Sequence, residues 1–109
     1  MSRSVFEVTY SCGFQELKNR FEGILAQNGY HPYMYEGENV WKKGVGVATA
    51  MMYIKIDYNV GAAAIQGWIM VGLGSAEMLE QALDGVAGVI PKKACRKVID
   101  QLIKAAESC

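Results

Sequence analysis

The chain has 109 residues, 11 basic and 11 acidic side chains for a formal net charge of +0, one histidine, three cysteines and 51% hydrophobic residues. That length and apolar content fit one small domain spanning residues 1–109 with a core of its own, and exclude a disordered chain. A balanced charge also speaks against a general polyanion binder, so no nucleic-acid partner is expected.

Near the start, Glu7, Thr9 and Ser11 interrupt the hydrophobic residues, and no secretory signal is expected. Val5 to Tyr10, VFEVTY, alternates Phe6, Val8 and Tyr10 with Glu7 and Thr9, the pattern of a half-buried strand. Behind it Phe14, Leu17, Phe21, Ile24 and Leu25 recur at helical spacing with polar residues opposite, which predicts an amphipathic helix. Ser11 or Gly13 serves as its amino-terminal cap, and Asn28 with Gly29 closes it.

The middle of the chain reads as strands separated by glycine. Tyr30 to Glu36 comes first, and Pro32 confines it to a sheet edge or a lead-in. A turn at Gly37 to Asn39 leads into a short strand, Val40 to Lys43, with a bend at Gly44 and Gly46. From Thr49 to Tyr58 the set Ala50, Met52, Ile54, Ile56 and Tyr58 makes one apolar face. The alternate set runs from Met51 and Tyr53 to Lys55 and Asp57, turning polar along its length. A turn at Asn59 to Gly61 returns the chain as a strand from Ala62 to Val71. The uncharged run Val60 to Gly74 is too short to span a bilayer, and no transmembrane segment is expected.

The last third reads as helical. Ser75 caps a short helix through EMLEQAL that ends at Asp84 and Gly85, and GVAGVI, Gly85 to Ile90, is left open between loop and strand. Pro91 then opens a second amphipathic helix with Cys95, Val98, Ile99, Leu102, Ile103 and Ala106 on one stripe. The expected fold is α+β, in the order β-α-β-β-β-α, with an antiparallel sheet of about four strands and both long helices on one face. The other face is expected to be wet or covered by another chain.

Little in the sequence supports catalysis. A single histidine, His31, rules out a two-histidine metal site within one chain, and beside Pro32 it reads as a strand-end side chain. Cys12, Cys95 and Cys109 are odd in number and widely spaced, with no C-x-x-C pair, so no disulfide framework and no metal or cofactor is expected. Cys109 reads as a mobile terminal residue and a reducing cytoplasm as the simplest setting. Cys95 lies near Lys92, Arg96 and Lys97, which would favour a thiolate, but its place on the apolar stripe favours core packing. Gly44-Val45-Gly46 and Gly72-Leu73-Gly74 lack the spacing of a dinucleotide loop.

One group breaks a local rule. Lys92, Lys93, Arg96 and Lys97 crowd the start of the last helix, where the macrodipole favours acidic residues. Either Glu77, Glu80 and Asp84 fold back over them, which is the preferred reading, or a phosphate or anionic lipid head group docks there.

The phrases VWKKG at Val40 to Gly44, QGW at Gln66 to Trp68 and D-G-x-x-G-x-x-P-K-K at Asp84 to Lys93 resemble a family of small uncharacterised bacterial proteins of the firmicute type. The resemblance implies a cytoplasmic α+β domain and supplies no catalytic residues. Taken together, the residues favour a non-enzymatic binding or interaction module over a thiol-dependent or hydrolytic enzyme using Cys95 or His31. The scatter of tyrosines and methionines points to a homo-oligomer.

Overall fold

A computed structural model describes residues 3–44, 51–71, 79–83 and 89–109. Eight elements follow one another: β1 (Ser4–Thr9), α1 (Phe14–Gln27), β2 (His31–Tyr35), β3 (Glu38–Lys43), β4 (Met51–Asn59), β5 (Ala62–Val71), β6 (Leu79–Gln81) and α2 (Val89–Glu107). The strands form one sheet in the order β1-β5-β4-β3-β2, and every pair is antiparallel. The class is therefore α+β, with five main strands where about four were expected. The difference lies at Pro32: its strand is no lead-in but a fully paired edge, Pro32 standing opposite Trp41. An edge position spares a residue that cannot donate to a second neighbour.

The β2–β3 turn comes one residue earlier than the glycine pattern suggests, at Glu36 and Gly37, which both have positive φ, 46° and 82°. Two such residues match the twist of a two-residue hairpin, and only Gly37 adopts that conformation without steric cost.

A second correction concerns Leu79–Gln81, expected within a short helix but forming β6 against Ile69, Met70 and Val71 of β5. β1 occupies β5 only from Ala62 to Gly67, which leaves the backbone groups of the following residues open to pairing. A one- or two-turn helix cannot compete with that, because helix nucleation is costly. Just beyond β6 the Leu83 amide donates to Ser4 Oγ at 2.9 Å, so β6 and β1 fill one edge of β5 in succession. Ser75, Met78, Asp84 and the residues up to 88 lie outside the described residues, as do Val45 to Ala50 and Gly72 to Gly74. Val89 and Ile90, left open by the sequence, begin α2, and Pro91 falls in its first turn.

Both helices bury their stripes in one core. Leu17, Phe21 and Leu25 of α1 and Cys95, Ile99 and Leu102 of α2 are fully buried against Val8, Ile54 and Ile65 of the sheet. At Gly67 the helix comes closest, since a Cβ there would lie 2.5 Å from Ile99 Cδ1 and 2.9 Å from Leu83 Cδ1. No helix among the described residues is long and apolar enough to cross a membrane.

The opposite face is not simply wet. Val40, Met51, Tyr53, Trp68 and Met70 form a second apolar cluster, each 8% exposed or less, with Tyr35 packed against it. Its centre is a stack of Tyr53 on Trp68, with centroids 5.4 Å apart and planes 7° from parallel. The Arg3 guanidinium lies 3.8 Å above the Trp68 ring. It also forks onto Glu38, at 3.0 and 2.8 Å, and reaches Gln66 at 3.2 Å. Lys55 completes the network at 2.9 Å from Glu38. The alternation along β4 explains the division, its Met51 and Tyr53 end lying in the cluster and its Lys55 and Asp57 end in the polar border.

Hydrogen bonds from Arg3, then from Lys55, hold the Glu38 carboxyl at about 2, against an ordinary value of 4.5. A depressed carboxylate stabilises the fold above its unfolded value and loses that contribution as pH falls toward 2. The side chain is 26% exposed, so solvent screening reduces the network to about 1–2 kcal/mol. Urea titrations are expected to show Glu38→Gln less stable by that amount at neutral pH, with the gap to wild type closing between pH 4.5 and 2.

Candidate functional site

α2 lies over β5, β4 and β1, while α1 leans on α2 and meets β4 through Phe14 and Phe21, whose rings contact Tyr58. This arrangement leaves the helix side of β2 and β3 open as a groove of about 480 Å³. Its apolar lining comes from Pro32 and Met34 of β2, Trp41 of β3, and Ile56 and Tyr58 of β4. Lys18 and Glu22 of α1 supply the charged wall, one of each sign and four residues apart. Burial, then the Glu22 carboxylate and Tyr10, push the Tyr58 hydroxyl up to about 12. The groove thus offers an apolar floor with a few polar handles.

Beside the groove runs β2, four of whose five residues are exposed. Tyr33 is 41% and Met34 59% accessible, high values for large side chains in a strand. An edge strand with apolar side chains and one open backbone edge is a template for pairing with another chain.

A second site lies where α1 begins and α2 ends. Cys12 and Cys109 are joined by a disulfide across 97 positions of sequence, with Cα atoms 5.2 Å apart. Cys109 is therefore tethered, and its carbonyl accepts a hydrogen bond from the Ser11 amide at 3.3 Å. The expectation of unpaired, widely spaced cysteines is overturned because antiparallel packing of the elements brings the two ends of this segment together. Glu16, one turn into α1, places its Oε2 3.4 Å from Cys109 Sγ.

The residues singled out in sequence do not assemble. His31 is exposed at the start of β2, opposite Lys42 of β3 and away from Cys95 in the core. Cys95 is fully buried beneath the sheet, its Sγ 3.9 Å from the Tyr53 carbonyl oxygen, and burial pushes the thiol up to about 11. Desolvation likewise raises the neighbouring Tyr30 hydroxyl. A protonated thiol in an apolar setting is a packing element.

The four cations at the start of α2 point in different directions. Lys92 is 6% exposed and engaged in the fold. Arg96 pairs with Asp100 at 2.9 Å and stacks over the Phe6 ring at 4.4 Å, leaving Lys93 and Lys97 exposed. Glu77 and Asp84, the expected internal partners, lie outside the described residues, and Glu80 belongs to β6. Comparison of the chain with protein-family models, with characterised proteins and with solved structures finds no match.

Proposed function

We propose that the chain is a non-enzymatic interaction module that self-associates through the β2 edge and the groove beside it. The observation that carries this reading is the exposure of Tyr33 and Met34 on an edge strand next to an apolar groove. A second copy is the partner whose charges fit. Lys42 and Lys43 lie at one end of the β2–β3 hairpin and Glu36 at its turn, so antiparallel pairing of two β2 strands brings unlike charges toward each other. Pro32, which lacks an N–H, limits the pairing to a short stretch around Met34 and suits a reversible contact. Under the same reading the protein works in the cytoplasm, with no catalytic residue.

Sedimentation or light scattering over a micromolar concentration series tests the reading. The wild type is expected to pass from monomer to dimer. Met34→Lys, an exposed substitution, is expected to leave the circular dichroism unchanged and to weaken association at least tenfold. A wild type that stays monomeric throughout sinks the proposal.

A further inference from the structure

The corner formed by Cys12, Glu16 and Cys109 belongs to neither the groove nor the β2 edge. Its three donor atoms lie within 4.8 Å of one another and come from the start of α1 and the residue after α2, segments far apart in sequence. The 3.4 Å between Cys109 Sγ and Glu16 Oε2 is close to the edge of a tetrahedron around zinc, about 3.6 Å for ordinary zinc–sulfur and zinc–oxygen bonds. With the S–S bond broken, rotation about the cysteine side chains alone suffices to open the sulfurs to ligand spacing, because the Cα atoms are 5.2 Å apart.

The electrostatic setting suits a cation held by thiolates. Cys12 immediately precedes Gly13, the cap of α1, which has no side chain to satisfy the free amides of the first turn. Those amides and the positive end of the helix dipole favour a thiolate. Cys109 follows the last turn of α2, where carbonyls and the negative end of the dipole favour a cation. Among the described residues Arg20 competes for Glu16, pairing with its Oε2 at 3.3 Å, and an exposed pair of that kind is weak.

We propose that the chain in its dithiol state binds one thiophilic divalent cation of the zinc class through Cys12, Cys109 and Glu16. The site has two exclusive states. In the oxidised state the sulfurs bond to each other. A dithiol or phosphine reductant delivers two electrons, the S–S bond breaks, and each sulfur takes a proton. The cation then displaces both protons to solvent, forms two bonds to sulfur and one to the Glu16 carboxylate, and keeps water in its fourth position.

The test uses the full chain reduced with a phosphine, desalted without oxygen, and titrated with Co²⁺ and then Zn²⁺. One Co²⁺ per chain is expected, with thiolate-to-cobalt charge-transfer absorption that one equivalent of Zn²⁺ bleaches. Cys12→Ser and Cys109→Ser should each abolish the band. Glu16→Gln should weaken Zn²⁺ at least tenfold while the disulfide still re-forms fully on air oxidation. Should the reduced metal-free chain unfold, recovery of its far-ultraviolet circular dichroism on adding Zn²⁺ is the expected result. A reduced wild type that gives no cobalt band and no zinc-dependent refolding overturns the proposal, as does a Glu16→Gln variant that binds zinc as tightly as wild type.

Discussion

Trp68→Ala is expected to lower the unfolding free energy by about 3–5 kcal/mol, read as a shift of the urea midpoint at constant slope. The residue is fully buried at the centre of the second cluster, so truncation removes a large apolar surface and leaves a cavity that its neighbours cannot fill. It also strips Tyr53 of its stacking partner and Arg3 of the ring beneath its guanidinium. Trp68→Phe is the informative control. The indole Nε1 has no hydrogen-bond partner among the described residues, so phenylalanine removes a buried unsatisfied donor while keeping an aromatic face. A markedly smaller loss for Phe than for Ala locates the contribution in ring packing. Equal losses would instead assign it to the full indole shape.

Reducing the Cys12–Cys109 bond without metal present should cost about 3–5 kcal/mol, the range for cross-links that close loops approaching a hundred residues. Sequence separation is the reason: a bond across 97 positions removes extended conformations from nearly the whole unfolded ensemble. Cys12→Ser should reproduce the effect of reductant, and reductant should then have no further effect on that variant. A midpoint indifferent to reduction would mean that the reduced unfolded chain is already compact. Since small domains have only about 5–15 kcal/mol in hand, the loss is large enough to be seen in thermal melts as well.

Much of this architecture can be read from residue order. Leu17, Phe21 and Leu25 announce α1 by spacing alone, and the chain marks its end with Asn28 and Gly29. The alternation along β4 separates its helix-facing residues correctly, and β5 runs from Ala62 to Val71 as its composition suggests. What escapes the sequence is set by distant partners. Leu79–Gln81 has helical spacing but is claimed by the stretch of β5 that β1 leaves unpaired. Met51 and Tyr53 look like the start of a solvated face until Trp68 stacks opposite. The groove exists because the helices, on their own side of the sheet, lie over β1, β5 and β4 and leave β2 and β3 open, which no local pattern encodes. Cys12 and Cys109 looked unrelated because spacing says nothing about residues that meet only after every element has packed.

The pairing of β1 with β5 has a consequence for how the molecule is made. Glu7 of the first strand is matched with Ala64, so the ribosome must deliver 57 further residues before that partner exists. At ordinary elongation rates the wait is about 3–11 s, far longer than hairpins need to close. Meanwhile β2, β3 and β4 can form a meander by local contacts, but Phe6, Val8 and Tyr10 have no sheet to join. The nascent chain therefore carries an unpartnered apolar strand until β5 has been made, which leaves this segment exposed to aggregation before the sheet can close.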